Sequence, residues 1–206
     1  MDATSPGDSL LELGCGTGVF SGILAKNGRN TTLLDYSEKS VEFCREVFAQ
    51  ANLKGEFIKA DVLKPFPFAD NSFDCVWSSG LLEHFTDYQL RFILKESARV
   101  SRKLVISLVP NAWSGFYRFG KWYQESRGIW PWGKEDPKYT LKSFFAGAGL
   151  TDLKEFAVDV QTAFRFLHPI RSKLLKRSLQ VCTHLLPSFL WRSMNQGFLL
   201  VTIGTK

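Results

Sequence analysis

Glu12, Asp35 and Asp61 each stand at the end of an apolar-rich run, Ser78 and Ser79 close a fourth such run, and His84 follows shortly after. An acidic side chain at the end of a second strand can accept hydrogen bonds from both hydroxyls of a ribose, which is the chemistry open to Asp35. An imidazole ordinarily titrates near neutral pH, so His84 is the candidate for acid–base work. Between Glu12 and Asp35 lies Gly14-Cys15-Gly16-Thr17-Gly18. Glycines there let the backbone turn sharply and approach a ligand closely. The segment after them, Val19 to Asn27, is amphipathic, so its start offers free N–H groups and the positive end of a helix dipole.

The elements that must carry these groups alternate. Ser9 to Leu13 reads as a strand and Val19 to Asn27 as a helix. Arg29 to Leu34 leads as a second strand into Asp35, 17 residues after Gly18. The next helix is expected over Ser37 to Ala51, where Val41, Cys44, Val47, Phe48 and Ala51 keep helical spacing. Glu56 to Val62 is strand-like, Asp70-Asn71-Ser72 is turn chemistry, and Phe73 to Trp77 forms the fourth strand. A helix over about Asp87 to Val100, a strand over Lys103 to Val109, a helix over Leu141 to Ala148 and strands over Asp152 to Val160 and Gly197 to Ile203 complete the order. Such alternation implies an α/β fold: a doubly wound, mostly parallel sheet with helices on both faces.

A dinucleotide-binding turn reads G-x-G-x-x-G and would need its third glycine where this chain has Val19. The pattern here, Glu12-x-Gly14-x-Gly16-x-Gly18, with Phe73-Asp74-Cys75-Val76 and Leu82-Glu83-His84 downstream, resembles the class I, Rossmann-like S-adenosylmethionine-dependent methyltransferases. Within them it is most similar to the small-molecule group often called type 11. The resemblance implies a seven-stranded sheet whose last strand runs antiparallel between the fifth and sixth. It implies S-adenosylmethionine as cofactor and S-adenosylhomocysteine as product. Gly14, Cys15, Gly16, Thr17 and Gly18 would form the cofactor turn. Glu12 would lie near the methionine end, Asp35 on the ribose, and Tyr36, Asp61 and Val62 on the adenine. Ser78 and Ser79 would lie beside the methionine moiety and the transferred methyl. It also implies a covering helix upstream, and only eight residues precede Ser9.

The expected reaction is methyl transfer to an O, N or C nucleophile of a small acceptor, with no metal. His84 is either the base or a group that closes the pocket. A cofactor-binding partner subunit without catalysis and transfer of another group from the same cofactor are the alternatives. No Asn/Asp-Pro-Pro-aromatic run follows the fourth strand, where Ser78-Ser79-Gly80-Leu81 stands. Nucleic acid is therefore the less favoured partner.

The chain has 206 residues, which suits one domain, and its apolar content of 45% is ordinary for a globular protein. Two insertions interrupt the alternation, at about 111–139 and 161–196, both expected at the carboxyl edge of the sheet. The first holds nine aromatics, four of them tryptophan, and suits an apolar or aromatic pocket or a lid packed on the sheet. The second is basic: residues 160–206 hold seven Lys and Arg and no acid, whereas 1–159 hold 19 basic and 20 acidic residues. The segment 165–192 could lie on an anionic membrane or steer an acidic acceptor. The four cysteines form no C-x-x-C pair and read as reduced thiols, and neither a signal peptide nor a spanning segment is apparent, which points to the cytoplasm.

Overall fold

The computed structural model describes residues 3–166 and 195–206. Its elements are β1 (Ser9–Leu13), α1 (Val19–Lys26), β2 (Asn30–Asp35), α2 (Glu38–Gln50), β3 (Glu56–Lys59), β4 (Phe73–Ser79), a 3₁₀ turn (Leu82–His84) and α3 (Asp87–Val100). They continue with β5 (Ser101–Pro110), α4 (Gly115–Ser126), α5 (Lys142–Gly147), β6 (Thr151–Val158), α6 (Val160–Arg165) and β7 (Leu199–Thr205). Helix boundaries follow from local chemistry. The Ser37 side chain accepts from the Ser40 N–H at the start of α2, and Thr86 and Gln89 form a reciprocal capping box at the start of α3.

All seven strands make one sheet in the order β3-β2-β1-β4-β5-β7-β6. The pairs from β3 to β5 are parallel, and β7 runs antiparallel to both neighbours. The parallel part is what the alternation implied, and the reversed last strand between the fifth and sixth is what the resemblance implied. The main core packs Leu11, Leu13, Leu34, Val76 and Val105 against α3 residues Leu90, Ile93 and Leu94, all fully or almost fully buried. Their burial as continuous runs is what a parallel sheet covered on both faces requires.

The structure differs from the sequence expectation in several places. The third strand, expected over Glu56 to Val62, ends at Lys59, so Asp61 and Val62 stand in the loop beyond it. The aromatic insertion contains a helix, α4, whose Tyr117 is fully buried against Phe166 and Phe198. The last strand begins two residues later than expected. Gly197 lies so close to the backbone of Val158 that a Cβ there would sit 2.3 Å from its carbonyl oxygen. The Asn111 side chain holds the Gly197 carbonyl as well, so this stretch is fixed as a junction, not a strand. Of the basic segment, 167–194 lies outside the described residues. Among the described residues no helix is long and apolar enough to cross a membrane.

Candidate cofactor and acceptor site

The sheet order itself assembles the site. The carboxyl ends of β3, β2, β1 and β4 are neighbours, so Asp61, Asp35, the glycine turn and Ser79 line up along one edge. Three strand spacings make that row about 15 Å long, enough for an extended nucleoside with an attached amino acid. The strand order reverses between β1 and β4, and open parallel sheets bind ligands at that crevice.

The turn is built for close approach. Gly16 has φ 51°, and a Cβ there would project into open space, the space a ligand against the turn would occupy. Gly18, at φ 65° and ψ 10°, is the N-cap of α1, so the helix starts directly behind the turn. The Gly14 and Cys15 N–H groups both donate to the Leu34 carbonyl, which ties the turn to the end of β2. Cys15 Sγ lies 3.7 Å from Cys44 Sγ beneath it, and burial raises both thiols above their ordinary range. Thr17 is exposed on the rim.

Asp35 faces this turn. One of its oxygens accepts from the Gly16 N–H at 3.0 Å and the other from the Ser37 N–H at 2.9 Å. Each oxygen keeps a further acceptor site. Tyr36, next to it, is 75% exposed. Asp61 accepts from the Leu63 N–H, whereas the Val62 side chain is buried in the core. Val62 therefore offers a ligand its backbone.

Glu12 is buried on β1, 3% exposed, and accepts from the Ser21 hydroxyl of α1 at 2.5 Å. Burial pushes its carboxyl up to about 8; the Ser21 hydrogen bonds pull the other way, and the charge of Asp35 adds to the rise. Among the described residues no cation pairs with it; a buried acid in that position is costly, and a ligand's ammonium group would offset that cost. These residues fit an adenosyl amino-acid cofactor.

The two serines diverge, because successive strand residues face opposite sides. The Ser78 hydroxyl is buried 3.2 Å from the Ser107 hydroxyl, so only its backbone faces the crevice. Ser79 borders a cavity of about 660 Å³ beside the crevice, together with Phe20, Gly80 and His84. Glu83 borders it too, and both insertions add to the wall: Trp130, Trp132 and Glu135 from the first, Thr162, Arg165 and Phe166 from the second. His84 Nδ1 lies 2.9 Å from the Lys134 carbonyl, so Nδ1 carries the proton and donates, leaving Nε2 as the acceptor.

Sequence reasoning passed over Ser21, Glu83 and Glu135. Ser21 sits nine residues after Glu12, one helical turn into α1, and that spacing was a readable signal. The two glutamates come together only through the fold: the insertion returns along the 3₁₀ turn, where the Asp136 N–H donates to the Glu83 carbonyl.

An open α/β sheet with a glycine turn, ribose-type acid and adjoining cavity at its switch point defines a Rossmann-like nucleotide-cofactor protein. Residues 10–103 match the family model described as a methyltransferase domain. The chain is 35% identical over 105 residues to malonyl-[acyl-carrier protein] O-methyltransferase of Erwinia pyrifoliae, covering 50% of this chain and 37% of that protein. It is 37% identical over 98 residues to demethylmenaquinone methyltransferase of Corynebacterium urealyticum, covering 48% and 39%. The match thus spans about two fifths of these relatives' length. In fold it is similar to magnesium protoporphyrin IX methyltransferase of Synechocystis, solved with bound SAH, with TM-score 0.64, 13% identity, and coverage of 98% of this chain and 74% of that one. Residues 10–103 are thus similar to a methyltransferase domain, and the chain has the fold of a solved methyltransferase that binds S-adenosylhomocysteine.

Proposed function

We propose that the protein transfers the methyl group of S-adenosylmethionine to a small acceptor held in the 660 Å³ cavity. The observation that carries this reading is the continuity of the two sites. Ser79 ends β4 and Gly80 follows it, next to the glycine turn, and both border the cavity, so an acceptor there meets the methionine end of the row. When bound, the cofactor supplies an electrophilic methyl on a sulfonium, so the protein's task is mainly positioning. Asp35 would hold the ribose, Asp61 and the Val62 backbone the adenine, Glu12 and Ser78 the methionine end. Tyr36, with its ring in solvent, would close over the adenine.

His84 Nε2 would take the proton from an acceptor that must lose one. The matched relatives named as acting on a carrier-bound acyl group and on a quinone precursor support a small-molecule acceptor. The test is incubation with S-adenosylmethionine and an acceptor panel, reading product mass for a gain of one methyl. His84→Ala is expected to lower turnover at least ~100-fold while leaving S-adenosylhomocysteine affinity unchanged. Unchanged turnover would remove His84 from the chemistry and leave it as a wall of the pocket.

A further inference from the structure

Glu83 is out of place for a structural residue. It is 97% buried, being 3% exposed, yet its Oε2 has no hydrogen-bond partner among the described residues. It lines the acceptor cavity, in the middle of the 3₁₀ turn, where its carbonyl accepts from the Asp136 N–H. Buried polar atoms are nearly always paired, and an orphan in a cavity wall marks a place where a ligand completes the bonding.

The surroundings say what kind of ligand. Glu135 lies on the same wall, but its Oε2 already accepts from the Tyr117 hydroxyl at 2.9 Å and faces Lys121 Nζ at 3.4 Å. Lys121 in turn is held by Glu125 at 2.6 Å and lies 4.3 Å over the Trp130 ring. Lys121 does not border the cavity, so its charge serves the glutamates around it, whereas Arg165 stands on the wall formed by the second insertion. Burial, with the charge of Glu135 adding and Lys138 opposing, raises the Glu83 carboxyl to about 8. A neutral carboxyl both donates and accepts. Gln124, Asp159, Thr162 and Arg165 also border the cavity, and beside them the wall carries ring surface: Trp130 and Trp132 stand edge to face at 4.8 Å, with Phe166 6.1 Å from Trp130. Rings of this kind bind flat apolar bodies.

We infer that Glu83 recognises the acceptor, receiving a hydrogen bond from a hydroxyl or amine carried on a flat, aromatic body that packs on the Trp130, Trp132 and Phe166 rings. The inference rests on the methyl-transfer reading for the word acceptor, but the binding site can be tested without turnover. Glu83 touches the acceptor's polar head, while His84 stands ready for the proton.

Three probes of one shape separate the chemistry: 4-propylphenol, 4-propylaniline and 4-propylanisole, titrated calorimetrically with and without saturating S-adenosylhomocysteine. The wild type is expected to bind the phenol or the aniline at least ten-fold tighter than the anisole, and the tighter of the two tells hydroxyl from amine. In Glu83→Met the preference is expected to fall below two-fold, with S-adenosylhomocysteine affinity unchanged and thermal stability at pH 8 equal or higher. Glu83→Gln keeps the volume and one acceptor oxygen and is expected to retain part of the preference. No preference in the wild type, or the same preference in both variants, would overturn the inference. A lower melting temperature with the preference intact would show a structural role and overturn it too. Donor-selective binding without any S-adenosylhomocysteine binding would uphold the recognition site and overturn the methyl-transfer reading instead.

Discussion

Gly18→Ala is expected to lower stability by about 2–5 kcal/mol and to remove cofactor binding. The residue adopts φ 65°, which costs an L side chain roughly 1–2 kcal/mol. The new Cβ would also meet Cys44 Sγ at 2.8 Å and Leu33 Cδ2 at 2.9 Å, both on fully buried residues. Overpacking a core costs about 1–3 kcal/mol more. For a chain of this size the melting temperature should fall by roughly 5–15 °C. Gly16→Val is the informative contrast. Its φ is also positive, but a Cβ there meets nothing within 4 Å. It is expected to cost only ~1–2 kcal/mol of stability, yet to weaken S-adenosylhomocysteine by at least ten-fold, because it fills the space kept for the ligand. Thermal unfolding and calorimetry on the two variants check this. Equal binding losses in proportion to stability would mean that the turn is only a structural joint.

Glu12→Gln is expected to stabilise the free protein at pH 8 and to weaken the cofactor. The carboxyl is raised from an ordinary 4.5 to about 8, chiefly by burial. The folded state then binds a proton that the unfolded state has released. Stability from this group is complete below pH 4.5 and is lost as pH rises through 8. Raising a carboxyl from 4.5 to about 8 corresponds to a ceiling of roughly 5 kcal/mol, before relaxation reduces it. Glutamine cannot ionise and its carbonyl can still accept from Ser21. The melting temperature of Glu12→Gln should therefore fall less than that of the wild type between pH 5 and 8. Glu83 titrates over the same window, so the difference between variant and wild type is the quantity to read. S-adenosylhomocysteine affinity should fall ten-fold or more, since the ligand's ammonium no longer gains an anion. Parallel melting curves across pH would contradict the buried, uncompensated acid.

Much of the frame was legible because its signals are local. Helical spacing from Val41 to Ala51 marked α2 within a residue of its observed ends, and the helix expected over about Asp87 to Val100 coincides with α3. The glycine turn and strand-end acids were readable for the same reason: each sits at a change of hydrophobic period. The aromatic insertion was not readable as a helix. Aromatics and two glycines are weak helix formers, and Gly120 is there because a Cβ would sit 2.2 Å from the Phe166 carbonyl oxygen, a contact 46 residues away. Strand parity would have separated Ser78 from Ser79, since Ser79 shares the face of Trp77 and Ser78 that of Val76. Glu83 could not be told from a surface acid, because its burial depends on the return of Glu135 and Asp136 along the turn.

Calorimetric titration of the purified protein with S-adenosylhomocysteine, with NADH as control, tests the central claim most directly. Binding of S-adenosylhomocysteine in the micromolar range, abolished by Gly18→Ala and weakened at least ten-fold by Glu12→Gln, with no heat from NADH, is the expected result. Binding of NADH in its place, or of neither ligand, would contradict the assignment of the glycine turn and the Asp35 row to S-adenosylmethionine.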